Sequence, residues 1–146
     1  MTKILIKRLS NKVSLPKYET SGSSGMDLAA HIDENINLEP GKSVIVTTGL
    51  FVEIPEGFEI QIRPRSGLAA KKKISVLNTP GTIDADYRGE IKIILINLSS
   101  EIFTIENGLR IAQMVVCPVI HAELEEVDEL NNTKRGKDGF GSTGIK

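Results

Sequence analysis

Turn signals punctuate this chain roughly every 8 to 15 residues, and the stretches between them are β-branched or alternate apolar with polar. No helical periodicity is sustained except in a short piece near Ser66 to Lys73. Such spacing leaves room for short strands and almost none for helices of ordinary length, so it predicts an all-β sandwich or barrel. Glu39-Pro40-Gly41 has Pro and Gly where a type II turn prefers them, and Pro55-Glu56-Gly57 repeats the signal one strand later. Between these turns, Ser43 to Ile54 reads as a strand; Phe58 to Arg63 alternates, with one face buried and one wet. Ile91 to Ile96 has only Lys92 as a polar residue, the pattern of a central strand covered on both sides. Asn107-Gly108 predicts a hairpin joining Ile102 to Ile105 with Arg110 to Val119. Lys3 to Leu9 and Met26 to Ala30 read as further strands, separated by an irregular run and the loop Thr20 to Gly25.

With 146 residues the chain suits one domain, and with 4% aromatics and no Trp its core must be built mainly from Ile, Val and Leu. A net charge of −1 argues against a general nucleic-acid or membrane binder. The lone cysteine, Cys117, excludes an internal disulfide and sits in an apolar run as a packed thiol. His31 and His121 have no partner at ligand spacing, which argues against zinc. Met1 to Arg8 is too basic and too briefly apolar for a secretory signal, and no run approaches the ~18 apolar residues of a membrane span, so the expected location is cytoplasmic, or a compartment reached without an N-terminal presequence. Near the end, Glu123 to Leu130 is acidic and Asn131 to Lys146 turns basic and glycine-rich. That shift divides the chain into a body, residues 1–130, and a detachable tail, residues 131–146.

Four further stretches carry chemistry. Asn78 to Glu90 sets Asp84, Asp86 and Tyr87 between Gly81 and Gly89. The glycines predict a tight β-hairpin, since they supply positive φ, and a plain polar tip suits the same residues. Between Gln61 and Lys73 there are five cations and no acid, and Pro64-Arg65-Ser66-Gly67-Leu68-Ala69 predicts a strand end followed by a helical turn capped by Ser66. This is either a solvated basic turn or a phosphate seat, with Arg65 as a forked donor. Arg110 and Gln113 are polar residues in apolar company, and their spacing of three puts them on opposite faces of a regular strand unless a bulge intervenes. Arg135 to Gly144 combines four glycines with hydroxyls, cations and Phe140. Its backbone suits an anion nest and its ring a flat partner, and 16 residues reach roughly 50 Å when extended, although a disordered terminus fits too. Asp27 either caps a turn or helps hold a metal ion. Together these pieces point to a ligand that is polyanionic at one end and planar at the other, and a nucleoside triphosphate fits; no Walker-type loop or dinucleotide fingerprint is present.

Five motifs, Ser24-Gly25-Met26-Asp27-Leu28, Pro64 to Ala69, Asn78 to Gly89, Gly108 to Gln113 and Arg135 to Gly144, appear in an order that closely resembles the homotrimeric deoxyuridine triphosphate nucleotidohydrolases, or dUTPases. The resemblance implies a β-clip or jelly-roll-like distorted barrel with one short helix and a flexible glycine-rich tail. It also implies a trimer whose three sites are each assembled from three chains. The implied reaction cleaves dUTP with Mg²⁺ into dUMP and pyrophosphate, keeping uracil out of DNA and supplying dUMP for thymidylate synthesis.

By the same resemblance Asp84 is the base that deprotonates the attacking water, and Asp27 anchors the metal through water. Arg65, Ser66, Gly67 and Gln113 would hold the phosphates. Asn78, with the backbone of Thr82, Ile83 and Asp84 and with Lys92 near, would read uracil, and Tyr87 would pack under the deoxyribose. In the tail, Arg135 would reach the terminal phosphate, Phe140 would cover the base, and Gly141, Ser142 and Thr143 would wrap the phosphates. Asp138 departs from the Gly often found at its position and would repel a triphosphate unless it points away. Asp86 is read as shaping the hairpin. Two rival readings are a dCTP deaminase of the same fold and a non-catalytic nucleotide-binding module.

Overall fold

A computed structural model describes residues 2–139. Ten strands and one short helix follow the turn pattern: β1 Leu5–Arg8, β2 Met26–Ala29, β3 Ile36–Leu38, β4 Ser43–Glu53, β5 Phe58–Arg63, α1 Ser66–Lys72, β6 Ile74–Val76, β7 Gly81–Ile83, β8 Glu90–Asn97, β9 Phe103–Ile105 and β10 Arg110–Pro118. They form two four-stranded sheets, ordered β1-β4-β8-β6 and β2-β10-β5-β7, and a small β3-β9 pair. Every pairing is antiparallel. The all-β expectation and its single short helix are met.

Alternation explains what the sheets bury. On β5, Ile60 and Ile62 point inward, and on β8, Ile91, Ile93 and Leu95 do the same. These join Leu28, Val46, Leu50, Ile74, Ile105 and Ile111 in one aliphatic core, in which each fully buried side chain contributes roughly 1.5–3 kcal/mol. Two polar residues lie inside and both are satisfied. Thr48 Oγ1 donates to the Ile91 carbonyl at 2.6 Å. Asn97 Nδ2 donates to the carbonyls of Leu38 and Glu101, tying the end of β8 to the β3-β9 pair.

Both Pro-Gly turns form as expected, with Gly41 at φ +72° and Lys42 N–H donating to Glu39, and Gly57 at φ +82° with Phe58 N–H donating to Pro55. Elsewhere the structure corrects the reading. The glycines of the 78–90 stretch do not close a hairpin: β7 pairs with β5 and β8 with β4 and β6, so the segment crosses from one sheet to the other. Neither Gly81 nor Gly89 has positive φ; each instead gives way to a side chain. A Cβ at Gly89 would collide with the Tyr87 ring, and one at Gly81 would lie 3.1 Å from Asn78 Nδ2.

Asn107-Gly108 reverses the chain with Gly108 at φ +84°, yet it joins no hairpin, because β9 pairs with β3 and β10 with β2 and β5. The turn signal specifies a reversal but not a partner. Helix α1 begins one residue earlier than the expected cap: Arg65 holds the N-cap position without a side-chain cap bond, and Ser66 is the first helical residue. Strand β8 is central in its sheet but covered on one face only. Its outer residues Ile94 and Ile96 are half-buried, beside Ile45 at 61% exposure and Leu77 at 52%. Among the described residues no helix is long and apolar enough to cross a membrane.

Candidate active site

The loop Thr20 to Gly25 is held by its own hydroxyls: Thr20 N–H donates to Ser23 Oγ at 3.1 Å, and Ser23 N–H to the Thr20 carbonyl at 3.1 Å. It delivers the chain into β2, where Asp27 lies opposite Gln113 of β10, and Gln113 in turn lies opposite Arg63 of β5. Gly25 is required there, since a Cβ would collide with the Gln113 amide oxygen. Gln113 Nε2 donates to the Pro64 carbonyl at 2.9 Å, which fixes the side chain beside the start of α1.

The bulge that the spacing of Arg110 and Gln113 called for is present. Arg110 pairs with Ala29 but Ala112 pairs with Leu28, so β10 contains one extra residue relative to β2. Both polar side chains consequently reach Asp27's neighbourhood. Arg65 Nε donates to Asp27 Oδ1 at 2.9 Å, and Arg110 Nη1 donates to Asp27 Oδ2 at 3.1 Å. Ser24, Gly25, Asp27, Arg65, Ser66, Gly67 and Gln113 line a cleft of about 340 Å³. The first N–H groups of α1 have no acceptor within the helix. A Cβ at Gly67 would meet no atom within 4 Å, so that backbone is open to a ligand.

Asp84 lies elsewhere. It follows β7, whose Ile83 pairs with Ile60, so it comes level with Glu59 near the start of β5. It lines a separate hollow of about 570 Å³ with Phe58, Asp86 and His121. Among the described residues no donor reaches the exposed Asp84 carboxylate, while its carbonyl accepts from Tyr87 N–H at 3.2 Å. Tyr87 donates its hydroxyl to the Glu90 carbonyl at 2.9 Å and lays its ring over Gly89. At the other end of β7, the exposed Asn78 side chain folds over Gly81, with Thr82 exposed and Ile83 buried between. Lys92 is exposed on β8 opposite Thr47. No described bond joins it to Asn78 or Thr82.

Arg65 lies six positions beyond Glu59 along extended backbone, which puts Asp84 about 20 Å from the cleft on the same chain. The structure thus gathers Asp27, Arg65, Ser66, Gly67 and Gln113, and separately Asn78, Thr82, Ile83, Asp84 and Tyr87, but it does not unite the two groups. In the tail, Gly136 takes φ +56° and Arg135 Nε donates to the Asp138 carbonyl at 2.9 Å, which keeps this arginine within its own turn. Phe140, Gly141, Ser142 and Thr143 lie outside the described residues. The sequence singles out Arg110 as polar in apolar company without giving it a partner, and it gives no sign of Glu19, which also lines the cleft, 3.9 Å from Arg110 Nη1. The consecutive apolar pair Ile111-Ala112, which breaks strand alternation between two polar residues, marks the bulge that brings Arg110 to Asp27.

Among the described residues no group of three or more His, Cys, Asp and Glu side chains could cage a metal. Asp27 alone fits a looser role. Each of its oxygens accepts one arginine bond and retains capacity for water, and Mg²⁺ that arrives on phosphates needs only one or two carboxylates.

Comparison with known proteins places the whole chain in one family. A family model described as dUTPase matches residues 11–144. The chain is 57% identical to the deoxyuridine 5'-triphosphate nucleotidohydrolase of Hydrogenobaculum sp., with 99% of each chain covered. It is also 57% identical to that of Ehrlichia canis, over 99% of this chain and 97% of the other. Among solved structures, a Staphylococcus bacteriophage 80alpha dUTPase with dUpNHpp superposes with a TM-score of 0.85 at 27% identity, covering 99% of this chain and 100% of that one. A phage phi11 dUTPase, described with a structural Mg(II) ion, gives 0.76 at 25% identity over 87% and 97% of the two chains. With the fold, the motif order and full-length likeness in agreement, the chain belongs to the dUTPase family.

Proposed function

We propose that this chain is a cytoplasmic dUTP diphosphatase that converts dUTP and water to dUMP and pyrophosphate, working as a homotrimer with shared sites. The observation that carries the activity is the 57% identity, over almost the whole chain, to enzymes named for this reaction. Water attacks the α-phosphorus in line with the departing pyrophosphate, and Asp84 takes the proton of that water. An exposed carboxylate without a competing donor is suited to accept it.

The cleft holds the phosphates. Arg65 offers a planar fork, Ser66 and Gly67 offer backbone N–H groups at the helix start, and Gln113 offers an amide fixed against Pro64. Bound Mg²⁺ supplies charge neutralisation on the triphosphate, and Asp27 would hold it through water. At the nucleoside end, Asn78 and the backbone of Thr82 to Asp84 read the uracil edge, with Lys92 nearby. Tyr87, its hydroxyl occupied by Glu90, presents a fixed ring against the deoxyribose and leaves no room for a 2′-hydroxyl. In the tail, residues 131–146, Arg135 would leave its present turn for the terminal phosphate, while Phe140, Gly141, Ser142 and Thr143 would close over base and phosphates and exclude water.

The separation of about 20 Å between Asp84 and the phosphate cleft supports assembly from several chains, since a triphosphate cannot bridge it. The open apolar face of β8 and β4, with Ile45, Leu77, Ile94 and Ile96, supports the same reading. Incubation with dUTP and Mg²⁺ should release dUMP and pyrophosphate. Release of dUDP and phosphate, ammonia from dCTP, or binding without turnover would overturn the assignment. Light scattering should give three times the chain mass, and an active monomer would refute the shared site.

A further inference from the structure

Arg110 meets the phosphate cleft in two ways at once. Its guanidinium donates to Asp27 Oδ2 at 3.1 Å, and its carbonyl accepts from Arg65 Nη1 at 3.3 Å. Since Arg65 Nε also donates to Asp27 Oδ1 at 2.9 Å, the three residues close a ring of contacts. We propose that Arg110 is a positioning residue for the phosphate-binding end of the site, acting through Arg65 and Asp27 on the premise of the dUTP-hydrolysing reading above.

Three physical consequences follow from the ring. Arg65 has five N–H donors, and the ring uses two of them, Nε–H and one on Nη1. The guanidinium is therefore held in orientation with three donors left for an anion, and rotamer freedom that binding would otherwise remove is already lost. Next, Asp27 is a carboxylate in the wall of a cleft meant for a polyanion. Glu19 is a second carboxylate in that wall, so Arg65 and Arg110 together balance the two, whereas Arg65 alone would leave the seat net negative and hostile to a polyanion. Finally, Arg110 Nη1 lies 3.9 Å from Glu19 Oε1, at the entry to the loop that carries Ser23, Ser24 and Gly25. The opposite wall of the cleft is thereby tied to the same side chain. The extra residue in β10 makes all of this possible, because without it Arg110 and Gln113 would project from opposite faces.

The test is Arg110→Gln in the full-length enzyme, with Arg110→Lys alongside, and thermal unfolding to establish that both fold. For Arg110→Gln the KM for dUTP should rise about tenfold while kcat stays within about twofold, the signature of lost binding without lost chemistry. Inhibition by inorganic tripolyphosphate should weaken by a similar factor, and inhibition by deoxyuridine, which has no phosphate, should be unchanged. Arg110→Lys keeps the charge but not the fork and should recover part of the loss. An unchanged KM in Arg110→Gln, or equal weakening of tripolyphosphate and deoxyuridine, would overturn the positioning role. If Arg110→Gln does not fold, the lysine variant decides: its KM should rise about threefold with kcat held, and an unchanged KM would overturn the proposal. Failure of the wild-type protein to turn over dUTP would instead remove the premise.

Discussion

The two halves of the site are built differently. Around Asp27 the functional side chains are cross-linked to one another: Arg65 and Arg110 share the carboxylate, and Gln113 is pinned to Pro64. Around Asp84 the fixed element is the neighbour. Tyr87 is anchored to Glu90 and stacked on Gly89, while the Asp84 carboxylate meets no described donor. A group that must hold a charged ligand gains from being oriented in advance, because its ordering entropy is spent during folding. A base gains from an unoccupied lone pair, and a bond that stabilised its charged form would weaken it. The contrast is between a preorganised wall of cross-linked side chains, the proposed phosphate seat, and an unengaged carboxylate, the proposed base.

That contrast can be broken from either side. Asp84→Asn removes the proposed base while leaving Asp27, Arg65 and Gln113 in place, so kcat should fall by about 10² to 10⁴ with KM changed less than about threefold. Single-turnover product formation together with dUTP binding checks this, and near-normal turnover would take Asp84 out of its role. Arg65→Lys attacks the opposite half. Lysine keeps the charge but cannot bond Asp27, the Arg110 carbonyl and phosphate together, so KM should rise about tenfold or more. Steady-state kinetics that gave a wild-type KM would contradict the preorganised wall. Tyr87→Phe should have the smallest effect. The lost hydroxyl bond lies at a residue 44% exposed, so stability should drop by less than about 1 kcal/mol. The ring still stacks on the Gly89 backbone, and preference for dUTP over UTP should stay within a few-fold. A large loss of preference would mean that the hydroxyl, rather than the ring, gauges the sugar.

Local chemistry made much of this legible in the sequence. The two Pro-Gly turns, the alternation of β5 and the short helix near Ser66 each depend on a few adjacent residues, and each formed. Partner choice did not depend on such residues. Gly81 and Gly89 flank a crossing between sheets, and Asn107-Gly108 sends the chain to a strand it does not pair with. Long-range packing decides both. The gap between Asp84 and Arg65 is likewise a matter of register, which no local motif records. Arg110 was seen as polar among apolar neighbours, but its partners depend on a bulge whose presence the sequence only made conditional.

The extra residue in β10 also bears on which changes of length the chain can tolerate. Deleting one residue between Arg110 and Gln113 would restore regular pairing with β2 at the cost of turning Arg110 away from Asp27, although every functional group would still be encoded. Loops such as 33–35, exposed and far from Asp27 in the pairing scheme, face no such restriction. Insertions and deletions within the family should therefore avoid these four residues even where their side chains vary, because it is their count that aims the site.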